Sequence, residues 1–188
     1  INGNGSITGL SVGGLPNGTV DADTLATNSV TSTKLASGTG GKILQVVSTN
    51  VTATSNVSFG YDGARNPTPA SVTITSSEAN SKFLVSGSIS GEGTIEDYQI
   101  AFVLRRIIGG SATDINVGDA SGSRVRVTAM NAQGYVTSNQ ATTPSTSVIA
   151  PYLDAPSQSS GTDITYRIDI TGSGAGGTFY FGRTKNND

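Results

Sequence analysis

The sequence contains no cysteine, no histidine and no tryptophan, and aromatic residues make up only 6% of its 188 residues. Without cysteine the chain can form neither a disulfide bond nor a thiolate zinc site, so packing alone must stabilise its fold. Without histidine it lacks the usual general base of enzymes and the commonest metal ligand in proteins. The low aromatic content predicts a small core, which favours stabilisation by oligomerisation.

Charge and long apolar runs are also scarce. Charged residues make up 13% of the chain and the net charge is −2, so no basic surface for a nucleic-acid backbone is expected. No stretch approaches the roughly 18 consecutive apolar residues of a membrane-spanning helix, and membrane insertion is not expected either. The chain begins with Ile1 rather than Met, as a piece of a longer protein would.

The first 41 residues form a glycine-, serine- and threonine-rich arm. Its later apolar residues are spaced by five: Val20, Leu25, Val30 and Leu35. This spacing fits neither the 3.6-residue period of a helix nor the two-residue period of a strand. Three chains around a common axis can bury such residues, because copies from the other two chains complete each layer. The arm is therefore predicted to be an extended, intertwined collar with these four residues on the axis of a homotrimer.

Short turns are predicted within the arm as well. Segments 21–24 and 31–34 each place acidic or hydroxyl side chains where one helical turn would begin. The alternative for the whole arm is a disordered linker with accidental spacing, because its hydrophobicity is low. The sequence leaves both interpretations open.

Residues 42–188 are predicted to form a β-sandwich tip domain. Apolar alternation and turn residues define strand candidates at the short spacing of an all-β sandwich, and no segment in this region predicts a helix longer than one turn. The strand candidates are 42–48, 56–61, 71–76, 82–89, 98–108, 123–128, 146–150, 162–171 and 177–183.

Alternation within these strands predicts which faces are buried. The strand at 162–171 alternates between an apolar and a polar set: Ile164, Tyr166, Ile168 and Ile170 against Thr165, Arg167 and Asp169. One buried and one solvated face should result. Three shorter sets follow the same rule: Val72 with Ile74, Val125 with Val127, and Phe83 with Val85 and Ile89.

Two segments are apolar on both faces, namely 100–104 and 178–181. An antiparallel sheet in water tolerates this only where the outer face is covered. A subunit interface is favoured as the cover over a loop of the same chain, because the arm independently indicates symmetry.

No arrangement of residues indicates catalysis. The sequence has no G-x-S-x-G nucleophile elbow and no P-loop. Glu96 with Asp97, or Asp114 with Asp119, supply the residue types of a glycosidase pair, but adjacent strand residues point to opposite faces and nothing singles out either pair. We predict no enzymatic activity, no cofactor and no metal site.

The segment 172–177 matches the G-x-G-x-x-G pattern. In a dinucleotide site this loop follows a strand and opens a helix. Here a second strand candidate follows at once, so the segment is predicted to be a hairpin loop.

Short motifs along the chain resemble the distal domains of tail fibre and related virion proteins from phages of marine and freshwater bacteria, often cyanobacteria. The similar segments are 40–47, 81–85, 153–156 with 165–168, and, in the arm, 14–20 with Leu25, Val30 and 33–35. The resemblance implies a homotrimer whose tip is a jelly-roll-like antiparallel β-sandwich, as in tumour-necrosis-factor-like trimers. It implies adhesion to a host-surface polysaccharide or protein, and no catalytic residues. The chain is too short for the long parallel β-helix of enzymatic tailspikes.

The resulting hypothesis is a trimeric phage receptor-binding tip, located on the virion and joined to other virion proteins through its N-terminal side. Receptor contact is expected on loops at the far end of the sandwich, but strand counting does not tell which loops lie there. Two turn-rich connections carry suitable polar and aromatic side chains: Asn131, Gln133, Tyr135, Asn139 and Gln140 in one, and Tyr61, Asp62 and Arg65 in the other. The alternative for both is an ordinary surface loop without a binding role.

The alternative hypothesis is a structural virion component, such as a capsid-decorating protein, a head fibre or a fibre connector, that does not touch the host. A glycan-cleaving enzyme is a third class, in which Asp114 and Asp119 would act on host sugars. Under the first hypothesis alone, exchange of the loop at 131–140 would alter adsorption to the host.

Overall fold

The computed structural model describes residues 23, 25–27, 29–31, 34–35, 43–60, 63–94, 100–131, 144–172 and 176–184. By its internal contacts the chain divides into two units, Ile1–Ile43 and Leu44–Asp188. The boundary expected from the sequence, between residues 41 and 42, lies just before this division.

In the first unit, three of the four regularly spaced apolar residues are described, and all are exposed: Leu25 at 44%, Val30 at 49% and Leu35 at 39%. The N–H of Lys34 donates to the carbonyl of Thr31 at 2.9 Å, and its Nζ donates to the carbonyl of Ser29 at 2.8 Å. The bond between Lys34 and Thr31 has the spacing of the turn predicted at 31–34, whose residues 32 and 33 lie outside the described residues. Of the turn predicted at 21–24, only residue 23 is described. Val20 lies outside the described residues.

The second unit is built of strands, and its described residues form no helix, as predicted. In chain order the strands are β1 (Ser55–Phe59), β2 (Asn66–Thr75), β3 (Phe83–Gly93), β4 (Ile100–Ile108), β5 (Ser111–Asp114), β6 (Ala129–Met130), β7 (Ser145–Asp154), β8 (Asp163–Gly172) and β9 (Gly177–Phe181).

The strands form two antiparallel sheets. Sheet A has the order β1-β9-β3-β7, and sheet B has the order β2-β8-β4-β5, with β6 also paired to β4. Chain neighbours therefore mostly lie in different sheets, and most ladders join segments far apart in sequence. In sheet B, for example, Ile100 pairs with Gly172 and Ile108 with Ile164.

The two sheets pack face to face over one hydrophobic core. Phe102 on β4 and Phe179 on β9 meet edge to face, with ring centroids 5.5 Å apart. Phe83 on β3 and Tyr166 on β8 make a second contact between the sheets, at 6.0 Å. Alternation on β8 predicted its buried side correctly, since four of its residues belong to the core: Ile164, Tyr166, Ile168 and Ile170. The all-β sandwich expected from the sequence is confirmed.

Two predicted strands are wrong. Residues 43–48 pair with no strand, and residues 123–128 belong to a long irregular connection. Both segments are rich in β-branched residues, but a strand also needs a partner, and composition does not supply one. The other seven predicted strands overlap observed ones, while all of β5 and β6, the first half of β2 and the last four residues of β3 and of β7 were missed.

The expectation that a second subunit covers the two strands that are apolar on both faces is also wrong. Ala101 and Val103, on the outer face of β4, are each 0% exposed within a single chain. On β9, Phe179 and Phe181 are buried in the core, while Tyr180 lies on the outer face with the guanidinium of Arg183 4.7 Å from its ring centroid. Neither strand requires a partner subunit for its cover.

Candidate functional site

Strands of both sheets end together at one end of the sandwich, called here the loop end. In sheet B, Asn66 at the start of β2 is paired with Ile170 near the end of β8, and β4 begins beside the end of β8. In sheet A, Phe59 at the end of β1 is paired with Gly177 at the start of β9. Four connections therefore belong to the loop end: 60–65, 94–99, 131–144 and 173–176.

Both connections that the sequence selected for receptor binding belong to this end, which strand counting alone could not establish. The N–H of Gly172 donates to the carbonyl of Gly60 at 3.2 Å, which links the two sheets there. Of the selected residues, Arg65 and Asn131 are described. The others lie outside the described residues: Tyr61, Asp62, Gln133, Tyr135, Asn139 and Gln140.

Arg65 is held by three intramolecular contacts. Its Nε lies 2.9 Å from Oδ2 of Asp114, its Nη1 donates to the carbonyl of Gly63 at 3.0 Å, and its Nη2 donates to the carbonyl of Arg126 at 2.9 Å. Only 16% of the side chain is exposed. Arg65 therefore braces the 60–65 connection against the segment that follows β5, and little of its surface remains for a ligand.

Asp114 continues this contact into a charged network on the outer face of sheet B. Arg105 Nε lies 2.9 Å from Asp114 Oδ1, and Arg105 Nη1 lies 3.2 Å from Asp169 Oδ2. Arg167 binds the same Asp169 through Nε at 2.5 Å and Nη2 at 2.9 Å. The hydrogen bond to Asp169 is the main cause that raises the pKa of Arg167 above its ordinary value. Three arginines and two aspartates thus alternate across the sheet.

Asp169 is the buried centre of the network, at 0% exposure, and the prediction that it lies on a solvated face is wrong. Burial of a carboxylate is costly unless it is paired and hydrogen-bonded, and two guanidinium groups meet that need. Arg105 and Arg167 are directly opposite each other in the β4–β8 ladder, so a counter-ion between them offsets their repulsion. The burial of Asp169 could not be predicted from the sequence pattern, because the pattern does not show which residues of β4 and β8 lie opposite each other.

Asn131 is buried, at 5% exposure. Its N–H donates to the carbonyl of Ile100 at 2.9 Å, and its side-chain oxygen accepts hydrogen bonds from the hydroxyls of Ser145 and Ser147. The residue therefore ties the start of the 131–144 connection to β4 and its end to β7. This placement fits an anchor of the loop better than a direct receptor contact.

The opposite end of the sandwich is closed by polar contacts between the sheets. Arg106 Nη1 lies 2.7 Å from Asp154 Oδ1, and the hydroxyl of Tyr166 donates to Asp154 Oδ2 at 2.7 Å. Burial, and then the hydrogen bond to Asp154, raise the pKa of Tyr166 far above its ordinary value. Two short turns interlock at this end, since Ser76 and Gly161 are joined by a 2.7 Å backbone hydrogen bond.

Among the described residues, no group of three or more His, Cys, Asp or Glu side chains that could hold a metal ion occurs. Asp114, half of one suggested carboxylate pair, has both oxygens engaged by arginines. Glu96 and Asp97 lie outside the described residues.

The glycine-rich segment 172–177 connects two sheets. A strand follows it, as predicted, but β8 belongs to sheet B and β9 to sheet A. The prediction of a hairpin loop is therefore wrong, because a hairpin joins adjacent strands of one sheet. The segment is instead one of the four connections at the loop end.

Comparison of the chain with protein-family models, with curated proteins and with solved structures finds no match in any of the three. Within the described part of the chain, no helix has the length and apolar character needed to cross a membrane.

Proposed function

We propose that this chain is a virion fibre protein of a tailed bacteriophage, with a homotrimeric tip that adheres to a polysaccharide or outer-membrane protein of the host cell. In this proposal the protein lies on the phage tail or capsid surface and joins other virion proteins through its N-terminal side. The observation that carries it is the grouping of both candidate binding connections at one end of an antiparallel sandwich. Loops held on a rigid scaffold are a common arrangement for binding.

Internal bonding supports the rigidity of that scaffold. Arg65 fixes one connection to the segment after β5, and Asn131 fixes another to two different strands. The charged network around Asp169 joins neighbouring strands of sheet B by ion pairs. A binding surface held in this way loses little conformational entropy when it meets its receptor.

The exposure of the arm residues supports a trimer. Leu25, Val30 and Leu35 remain uncovered in a single chain, and a spacing of five does not let one chain bury them on one face. A three-fold axis would cover each with its two symmetry copies. The contribution expected from fully burying one such side chain is roughly 1.5–3 kcal/mol.

The strand order supports a jelly-roll classification, as in tumour-necrosis-factor-like trimers. With the two-residue β6 set aside, eight strands form two four-stranded sheets, β1-β9-β3-β7 and β2-β8-β4-β5. Eight antiparallel strands in two sheets with Greek-key crossings are typical of jelly rolls.

The adhesion proposal is tested with fluorescently labelled full-length protein and a panel of marine and freshwater bacteria that includes cyanobacteria. We expect saturable binding to some strains, measured by flow cytometry. Tyr135→Ala and Tyr61→Ala should weaken binding by at least about tenfold, as truncation of a central aromatic contact does. Lys82→Ala, an exposed residue at the opposite end, is the matched control and should bind as the parent does.

The oligomer is tested separately by light scattering after size exclusion. We expect a mass near three times 19.0 kDa for the full chain and a lower mass for a chain that begins at Gly41. A stable full-length monomer would contradict both the collar and the fibre tip. A trimer that binds none of the cells but associates with purified capsids or tails would instead favour the structural virion component.

A further inference from the structure

The segment 44–51 is rich in apolar residues that nothing in its own chain covers. It pairs with no strand, and every residue from 43 to 54 is exposed. Four of its side chains are large and aliphatic: Leu44 at 59% exposure, Val46 at 81%, Val47 at 40% and Val51 at 39%. A contiguous exposed stretch of this kind marks an interaction site in a folded protein.

A second uncovered apolar surface lies on the outer face of β3 and β7. Leu84 and Leu153 are paired directly across the two strands, with 73% and 57% exposed. Val148, opposite Ser88 further along the same ladder, is 65% exposed. β7 is also the edge strand of sheet A. A long edge strand with exposed aliphatic residues is a typical place for another chain to associate.

The two surfaces match in charge. The segment 44–51 contains no charged residue. The exposed residues of β3 and β7 from Leu84 to Ser90 and from Thr146 to Leu153 are also uncharged and are here named the neutral face: Leu84, Ser86, Ser88, Ser90, Thr146, Val148, Ala150, Pro151 and Leu153. Two charged residues flank this face in sequence, Lys82 before Leu84 and Glu92 after Ser90. The outer face of sheet B, in contrast, carries the network of Arg105, Arg167 and Asp169. An uncharged apolar strand would desolvate charged groups on sheet B, whereas on the neutral face it would cover only aliphatic and hydroxyl side chains.

In an extended conformation the segment would also be long enough to cross the neutral face. At about 3.3 Å per residue, the eight residues 44–51 span roughly 25 Å, and the part of β3 between Leu84 and Ser88 spans roughly 13 Å. One extended segment can therefore reach from the Leu84–Leu153 pair to Val148. Within one chain the segment and the face both remain exposed, so the segment does not cover the face of its own subunit.

We propose that segment 44–51 of one copy packs on the neutral face of a second copy of this chain. In this arrangement the segment 44–51 of each copy packs on one neighbouring copy, and the neutral face of each copy is covered by the segment of the other neighbour. Such a head-to-tail contact closes into a ring when the rotation is three-fold. The inference rests on the proposed homotrimer and adds the surfaces that form its interface next to the collar.

Cysteine cross-linking tests the contact directly, because the parent chain has no cysteine. Two double variants, Val46→Cys with Val148→Cys and Val46→Cys with Leu84→Cys, sample two registers. After mild oxidation or addition of a short bismaleimide, we expect dimer and trimer bands on a denaturing non-reducing gel from at least one of them. The matched control pairs Val46→Cys with Thr73→Cys, because Thr73 is exposed on sheet B; it should stay monomeric on the gel.

The outcomes separate this inference from the proposed function. If the parent is a trimer by light scattering but neither pair cross-links above the control, or a link forms within one chain, the contact is overturned and the trimer stands. If the parent is a monomer, the contact, the collar and the trimeric fibre tip are all contradicted, and the cell-binding assay then decides only whether a single sandwich binds cells.

A charge placed on either surface gives a second, independent measurement. Val46→Asp and Val148→Asp should each raise the concentration at which the trimer dissociates by more than about tenfold, while Thr73→Asp should leave it unchanged. Equal dissociation of all three variants would overturn the contact. All three sites are exposed in the single chain, so the fold of the subunit tolerates the charge.

Discussion

Phe102 and Phe179 join the two sheets edge to face, with an interplanar angle of 81° and no exposed surface on either residue. Phe179→Ala would leave a cavity at this contact, and we expect it to lower the free energy of unfolding by about 3–5 kcal/mol. Thr178→Ala, the neighbouring outward residue, should cost less than about 1 kcal/mol. Urea unfolding followed by circular dichroism measures both. Similar losses in the two variants would contradict the assignment of β9 faces.

Asp169→Asn tests the charged network on sheet B. The substitution removes the charge that faces Arg105 and Arg167 while it keeps the size of the side chain. Breaking a buried ion pair in this way is expected to cost about 3–5 kcal/mol. The control is Asp163→Asn, since Asp163 is exposed and only bonds Thr75 at the strand end. A loss for Asp169→Asn no larger than for this control would mean that the network contributes little.

The raised pKa of Tyr166 predicts that the free energy of unfolding decreases at alkaline pH. Its pKa is raised in the folded protein by burial and by the hydrogen bond to Asp154, whereas the unfolded chain loses the phenol proton near pH 10. Above that pH the unfolded state binds fewer protons than the folded state, so the free energy of unfolding should fall by up to about 1.4 kcal/mol per pH unit.

Removal of that hydroxyl checks the pH prediction. Tyr166→Phe should flatten the fall in stability between about pH 9 and pH 11, at the cost of one hydrogen bond at neutral pH. Tyr180→Phe should keep the slope of the parent. The measurement is urea unfolding at a series of pH values, and parallel curves for parent and Tyr166→Phe would show that another group governs alkaline unfolding.

Asp114→Asn distinguishes a structural from a catalytic carboxylate. Because both oxygens are bound by Arg65 and Arg105, we expect a loss of roughly 1–3 kcal/mol in stability. Neither parent nor variant should release sugar from host envelopes, as measured by a reducing-end assay. Sugar release by the parent that disappears in Asp114→Asn, at unchanged stability, would support the glycan-cleaving alternative.

Gly91 is a position where the fold allows no side chain. A Cβ there would collide with the carbonyl oxygen of Tyr180 and lie 2.6 Å from Cε1 of Phe179. Gly91→Ala should therefore destabilise the protein by at least about 2 kcal/mol. Gly118→Ala, whose Cβ would meet nothing within 4 Å, should be neutral or gain up to about 1 kcal/mol. Thermal unfolding of both variants measures the difference.

The alternation of apolar and polar residues predicted most of the strands, but it did not predict contacts between residues that are distant in sequence. Alternation gave the buried side of β8, since Ile164 and Ile170 are both 0% exposed. It failed for Asp169 on the other side, because that burial depends on two arginines brought close by the fold. It also predicted a strand at 42–48, where none is observed. Strand-like composition indicates that a segment could join a sheet, but it does not show that a partner strand is present.

The candidate site was predictable in part. Turn-rich composition selected the segments 61–66 and 131–140, and the observed strand order brings the connections that contain them, 60–65 and 131–144, to the loop end. The anchoring roles of Arg65 and Asn131 were not predictable, since their partners Asp114 and Ser147 are distant in sequence. A polar side chain that is selected only because it can form hydrogen bonds can form them within the domain instead of with a receptor.

The pairing of β1 with β9 sets a condition on how the domain is made. Ser55 pairs with Phe181, so the first strand of the sandwich finds its ladder partner only in the last. During synthesis, β1 cannot form its ladder, and sheet A cannot be completed, until β9 has left the ribosome. Such non-local pairing slows folding, typically to milliseconds or seconds, and a nascent chain released before Phe179 would lack a central part of its core.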